Sequence, residues 1–177
     1  EQYRFHPETL YLSINLLHRF LSKMVVARSK LQLVAIVCVM VAAKYEETTI
    51  PSISEFCYVT DDTFKMEELI KMERVLLNTL KFEITVVTQR HYLRRFCKAA
   101  NMNTMSALLA YYLTELTLRN AIFLHFRPSL LTATAVSLSL VTWGLEPWNP
   151  TLEHYTGYTF HDLEAPMRVL HEHYIDC

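Results

Sequence analysis

An unbroken apolar run is the feature that most limits what this chain can fold into. Eleven consecutive apolar residues, 33–43, are followed at once by Lys44 and by the acidic pair Glu46 and Glu47. The run is shorter than the roughly 18 residues that a helix needs to cross a bilayer. We therefore expect a helix over 30–47 that is buried on all sides in a protein core, and no membrane partner.

The rest of the chain shows the same helical periodicity, and only two of its 177 residues are glycine, which argues against a turn-rich β architecture. A helix over 7–22 is predicted by four apolar residues at helical spacing, namely Leu10, Ile14, Leu17 and Leu21. Thr63 is predicted to cap a helix over 64–80. The remaining predicted helices cover 52–58, 88–100, 104–120, 128–143, 150–156 and 160–174. The predicted fold class is therefore all-α.

The second half of the chain repeats the order of elements in the first half. Segment 27–43 aligns with 126–142, and segment 55–64 aligns with 153–160 after a two-residue deletion. Any two helical segments share some pattern, but matched order at a near-constant offset favours a true duplication. We therefore expect two tandem helical units of about 85–90 residues each. Their predicted bounds are 1–85 and 86–177.

Two charged residues lie where apolar residues are expected. The apolar side chains of helix 64–80 fall on one stripe about 120° wide, and Glu73 projects into its middle. That stripe consists of Met66, Leu69, Ile70, Leu76, Leu77 and Leu80. Lys44 likewise continues an apolar row of its helix, and an unpaired buried charge would cost on the order of several kcal/mol.

Three explanations of these charges are open. Lys44 could extend to solvent at its helix end. Lys44 and Glu73 could pair with each other inside the protein. Both could instead mark a surface that contacts another protein. Glu73 favours the third explanation because it lies in mid-helix, where neither the helix dipole nor extension from a helix end accounts for it.

Three segments resemble the cyclin box of mitotic A/B-type cyclins: "RSKLQLVAIVCVMVAAKYEE", "ISEFCYVTDDTFKMEELIKMERVLLNTLKFEI" and "TGYTFHDL". The specific part is a buried helix ending in K-[FY]-E-E, followed about thirty residues later by M-E-x-x-[VI]-L. The resemblance implies two tandem five-helix repeats, with the first helix of the first repeat incomplete or missing. It also implies a regulatory subunit that activates a cyclin-dependent protein kinase by docking against its C helix, in the nucleus and cytoplasm.

The resemblance also implies site residues. Lys44 and Glu73 match a lysine–glutamate pair that hydrogen-bonds main chain near the kinase's C helix, and neighbouring kinase-binding positions match Tyr45, Glu46, Phe82 and Ile84. Part of a patch that recruits substrates or inhibitors through short linear motifs matches Arg28, Leu31 and Gln32. The rest of that patch comes from an upstream M-R-x-I-L helix that this chain starts after. Arg28 could equally be an ordinary cation at a helix start.

No enzyme activity, cofactor or metal site is predicted. The chain has no P-loop, G-x-S-x-G or H-E-x-x-H motif. His171 and His173 are two residues apart, so on a helix they point away from each other and suit a solvated face better than a metal. The four cysteines have no paired spacing and are typical of reduced thiols in a cytosolic or nuclear protein. They are Cys38, Cys57, Cys97 and Cys177.

A rival class of function shares the same architecture. Tandem cyclin-like repeats also occur in transcription factors that grip promoter DNA and in pocket proteins that bind peptides. The DNA version needs a positive face, whereas this chain has 17 basic and 18 acidic residues and a net charge of −1, so no nucleic-acid partner is expected. Four aromatic residues, whose rings have the chemistry to stack on bases, are predicted instead to lie in the core: Tyr111, Tyr112, Trp143 and Trp148.

Overall fold

The computed structural model describes residues 4–175, and all regular structure in this range is helical. The α-helices are α1 Pro7–Leu21, α2 Leu31–Glu46, α3 Ile53–Val59, α4 Met66–Thr79, α5 Gln89–Ala99, α6 Thr104–Leu116, α7 Pro128–Thr142, α8 Pro150–Thr156 and α9 Phe160–Ile175. Short 3₁₀ turns cover Arg28–Lys30, Thr117–Arg119 and Ala121–His125. The prediction of an all-α fold is confirmed. Within residues 4–175, no helix combines the length and apolar character that a bilayer-spanning segment needs.

The chain divides into two compact units, residues 1–86 and 87–177. In the first unit α1 and α4 pack on α2, and in the second α6 and α9 pack on α7 in the same order. Each unit also places a short seven-residue helix, α3 or α8, before its last helix. Helix α5 packs on α7 and α8 and has no counterpart among the described residues of the first unit.

Helix α2 forms the centre of the first core, but it is not buried on all sides as predicted. Most of its apolar run is inaccessible to solvent, whereas Ile36 and Val39 remain partly exposed. They line an apolar groove together with Phe5, Pro51, Glu55, Phe56 and Val59. In the second unit α5 packs on α7, and residues 131–140 of α7 are buried without exception. The two helices differ in burial because α5 covers α7, whereas no described helix of the first unit takes that place on α2. Periodicity within α2 does not indicate which neighbours cover it.

Helix α1 forms where predicted, but the apolar row that predicted it is not the side that is most buried. Leu10 and Leu21 of the predicted stripe are 46% and 37% exposed. The buried side of the helix is instead formed by Tyr11, Leu12, Leu16 and Phe20. Since α1 carries apolar residues on both sides, its periodicity predicts a helix without indicating which side meets the core.

The predicted cap of α4 is also wrong. Thr63 lies outside the helix, which begins at Met66, and the Lys65 N–H donates to the Glu68 carboxylate at 3.2 Å. Met66 is 51% exposed, so it does not belong to the core-facing stripe. In the second unit Thr159 directly precedes α9, and the Asp162 carboxylate accepts from its N–H and hydroxyl, both at 2.8 Å.

Candidate functional site

Lys44 and Glu73 form an ion pair between the last turn of α2 and the middle of α4. Lys44 Nζ lies 2.5 Å from Glu73 Oε1, and the two side chains are 39% and 17% exposed. The carboxylate is thus neither sealed in the core nor separated from its partner. Because both groups still reach solvent, the pair lies at the rim of the core, where a second molecule can reach its remaining hydrogen-bonding positions.

A comparison of α4 with α9 by their buried leucines shows that packing alone does not require a charge at position 73. Leu69 and Leu76 are fully buried seven residues apart on α4, and Leu163 and Leu170 are fully buried at the same spacing on α9. The residue four positions after the first leucine is Glu73 in α4 and a methionine, Met167, in α9. Met167 packs against the apolar clusters of the second unit. An apolar residue therefore satisfies this helix position in the same kind of core.

Tyr45 joins α2 to the segment that follows α4, residues 80–86, here called the Phe82 loop. The Tyr45 hydroxyl lies 2.7 Å from the Thr85 hydroxyl. Beneath the loop, Leu80 is fully buried, and Ile84 and Val86 pack against the core of the first unit. The structure thus brings the ends of α2 and α4 together with this loop.

Phe82 projects from the loop with 65% of its surface exposed. Lys81 and Phe82 both have left-handed backbone conformations, with φ of 54° and 58°. Such φ values cost a non-glycine residue roughly 1–2 kcal/mol. Here the turn is held by the Phe82 N–H, which donates to the Leu77 carbonyl at 2.9 Å. An exposed aromatic on a strained turn suits a contact residue better than a core residue.

The two glutamates at the end of α2 have different surroundings. Glu46 is partly exposed in the last helical turn. Glu47 directly follows the helix, and its Oε1 accepts hydrogen bonds from the His6 N–H, at 2.6 Å, and from the Thr9 hydroxyl. These donors lie at the start of α1, so Glu47 fastens that start to the end of α2. This contact is not predictable from the sequence, because it joins residues about forty positions apart and leaves no periodic signal.

Glu47→Ala is expected to lower the free energy of unfolding by about 1–2 kcal/mol, since two donors lose a charged acceptor. Urea denaturation followed by circular dichroism measures the change. The matched control is Glu46→Ala, which should stay within about 0.5 kcal/mol of the original chain. Equal losses in both variants would contradict the fastening role of Glu47.

The residues matched to a substrate-docking patch lie at the opposite end of α2. Arg28, Leu31 and Gln32 are all exposed, Arg28 in the 3₁₀ turn and the others in the first helical turn. At 1.5 Å per residue, Leu31 and Lys44 are about 20 Å apart along the helix. The structure therefore separates these three residues from the Lys44–Glu73 pair.

The other candidate residues give no second site. His171 is exposed, and the His173 ring packs edge-on against Phe123 at 5.6 Å. Among residues 4–175, no group of three histidine, cysteine or acidic side chains is arranged to hold a metal. Trp148 is buried, but Tyr112 and Trp143 are 48% and 50% exposed, so the prediction that they lie in the core was wrong.

The three cysteines within the described range are free and buried, and Cys177 lies outside that range. Burial raises the pKa of Cys38 to about 12 and that of Cys97 to about 11. Burial also raises the pKa of Cys57, with a further contribution from the nearby Asp62 carboxylate. A thiol with such a pKa stays protonated at neutral pH and is a poor nucleophile.

Two family models match the chain, the cyclin N-terminal domain over residues 1–85 and the cyclin C-terminal domain over residues 87–176. Each covers one of the two helical units that the fold defines. The chain therefore belongs to the cyclin family.

Within that family the chain is similar to A-type cyclins, which confirms the resemblance found in the sequence. It is 45% identical to Cyclin-A1-2 of Arabidopsis thaliana over 96% of its length, and 44% identical to the G2/mitotic-specific cyclin-A of Hydra viridissima over 97%. The chain spans only 40% and 41% of the length of these two relatives.

A solved structure shows the same fold at low sequence identity. A viral cyclin from Herpesvirus saimiri superposes with a TM-score of 0.83 at 21% identity, covering 96% of this chain and 76% of that one. A chain of the CAK complex from Chaetomium thermophilum superposes less closely, with a TM-score of 0.58 at 19% identity, covering 95% of this chain and 57% of that one. These similarities support two tandem cyclin repeats.

Proposed function

We propose that this chain is a non-catalytic regulatory subunit that binds a cyclin-dependent protein kinase and activates it by docking against its C helix. The observation that carries this proposal is the Lys44–Glu73 pair, accessible at the rim of an apolar core. Met167 lies at the same spacing from a buried leucine of α9 and packs there as an apolar residue, which supports a role for Glu73 other than packing. Membership in the cyclin family supports the class of partner.

The chemistry of the pair suits recognition of a helix end. An ammonium has three N–H donors and a carboxylate has several acceptor positions, so one mutual hydrogen bond leaves both groups able to bind main chain. Lys44 would donate to carbonyls of the kinase and Glu73 would accept from its N–H groups. Polar contacts within an apolar rim fix the register of a docked helix, and interface energy concentrates at such positions.

The exposed apolar residues beside the pair would supply contact area. Tyr45 and Phe82 are 48% and 65% exposed, and Ile84 and Glu46 lie beside them in sequence at the same two segments. A C helix held inward by this surface aligns the kinase's own lysine–glutamate pair for ATP, which is a requirement for phosphoryl transfer. The cyclin itself would contribute no catalytic group.

The other end of α2 would recruit substrates or inhibitors. Leu31 is 39% exposed and offers an apolar contact, and Arg28 and Gln32 offer polar contacts to a short linear motif. A distance of about 20 Å from the kinase-binding end allows one helix to contact both molecules at once. We place this activity in the nucleus and cytoplasm, as the resemblance implies.

The direct test mixes the purified chain with individual cyclin-dependent kinase catalytic subunits and measures both complex formation and phosphorylation of a peptide substrate. We expect a stable complex with at least one of them and a phosphorylation rate well above that of the free kinase. Peptide binding with no effect on any kinase would instead favour a pocket-type protein. Salt-dependent binding to duplex DNA without kinase binding would favour a transcription factor that binds promoter DNA.

A further inference from the structure

We infer that the hydrogen bond between Tyr45 and Thr85 is a positioning device that holds the Phe82 loop against the end of α2 before a kinase binds. This inference rests on the proposed function, because it concerns the surface that would contact the kinase. It assigns a role to Thr85 and gives the Tyr45 hydroxyl a partner within the chain. Tyr45 and Thr85 are therefore positioning residues for the contact made by Phe82.

The inner side of the loop is fixed by apolar packing. Leu80 is fully buried, and Ile84 and Val86 pack against the core of the first unit. The backbone turns tightly between these anchors, with the Glu83 N–H donating to the Leu80 carbonyl at 3.0 Å and the Ile84 N–H donating to the Phe82 carbonyl at 2.9 Å. Packing thus determines where the loop begins and ends.

The outer side of the loop needs a separate restraint, because Phe82, Glu83 and Thr85 are all exposed. Arg19 approaches Glu83 at 3.7 Å, but the Glu83 side chain is 71% exposed, and exposed ion pairs of this length contribute little. The Tyr45–Thr85 bond is shorter and directed, at 2.7 Å. It joins the outer side of the loop to the residue next to Lys44, so both parts of the contact surface keep one geometry.

A restraint of this kind strengthens binding without adding a contact to the partner. A loop that is already ordered does not lose that conformational freedom on association, so less binding energy is spent on ordering it. Phe82 benefits most, because its left-handed backbone is held at a φ that an unrestrained loop would leave. Removing the bond should therefore weaken the complex although Phe82 itself is unchanged.

The test uses Tyr45→Phe, Thr85→Val and the double variant, since each single change removes one hydroxyl and nearly preserves shape. In the isolated protein, hydrogen exchange at the Glu83 and Ile84 amides should become about two- to tenfold faster in each variant. This range corresponds to the net stabilisation that one hydrogen bond typically contributes. Dissociation from the cyclin-dependent kinase catalytic subunit should accelerate by about the same factor. The double variant should be no worse than either single one.

The control is Tyr58→Phe, which removes a hydroxyl from a tyrosine on α3 that is 72% exposed, and it should change neither measurement. Unchanged exchange at Glu83 and Ile84 in both single variants would overturn the inference. So would faster dissociation in Tyr45→Phe alone, because the hydroxyl would then contact the kinase directly. If the original chain binds no kinase, the proposed function fails, and the exchange measurement alone still decides whether the bond orders the loop.

Discussion

Glu73→Met is expected to leave the fold intact and to abolish stimulation of the kinase. The substitution gives α4 the residue type that α9 carries four positions after its first buried leucine, where Met167 packs in the second unit. Lys44 loses its partner but is 39% exposed and stays hydrated, so the free energy of unfolding should change by no more than about 1 kcal/mol. Affinity for the kinase should fall about 30-fold or more, as for an interface position worth about 2 kcal/mol.

Two further variants distinguish the loss of the Glu73 charge from an effect of the substitution on folding. Glu67→Met makes the same change on an exposed part of α4 and should leave stimulation unchanged. The double variant Lys44→Met, Glu73→Met removes the whole pair and should also fold but fail to stimulate. Kinase activity is measured with each variant at a concentration near the dissociation constant of the unsubstituted chain, where a roughly 30-fold loss of affinity leaves almost no complex. Thermal unfolding of the same samples reports the fold. Normal stimulation by a folded Glu73→Met chain would show that the carboxylate serves only the interior.

The sequence contained enough information to predict the helices and their class, but not which side of each helix is buried. In α2 the apolar run predicted the helix correctly, while the partial exposure of Ile36 and Val39 depends on which helix packs there. Helix α1 has apolar residues on two sides, and the row that predicted the helix is partly exposed at Leu10 and Leu21. Apolar periodicity predicts that a helix forms, whereas the burial of each side of that helix depends on neighbours that are distant in the sequence.

Lys44 and Glu73 could be found from sequence because each interrupts an apolar row, which makes a charge conspicuous. Their pairing at 2.5 Å could not be found from sequence, since it joins two residues that are 29 positions apart and lie on different helices. Glu47 and Thr85 give no such signal, because a polar residue just outside a helix is ordinary. Their roles depend on contacts with Thr9 and Tyr45 that only the folded unit forms.

Phe82 should prove the strongest apolar contact of the proposed surface. Phe82→Ala is expected to lower affinity for the kinase about 30-fold, since a central aromatic at an interface contributes about 2 kcal/mol or more. The matched control is Tyr58→Ala, because Tyr58 is an equally exposed aromatic of the same unit, at 72% against 65%. Isothermal titration calorimetry with the catalytic subunit measures both, and the control should bind normally.

Phe82→Gly separates the effect of the missing ring on kinase affinity from its effect on the free energy of unfolding. At a φ of 58° a glycine avoids the strain that any side chain experiences, so this variant should be more stable than Phe82→Ala by about 1 kcal/mol. It should nevertheless bind the kinase as weakly as Phe82→Ala does. A glycine variant that is more stable than Phe82→Ala, but binds the kinase more weakly than the unsubstituted chain does, would mean that the aromatic ring occupies a strained position because it contacts the kinase. Retained affinity in the glycine variant would exclude Phe82 from the contact.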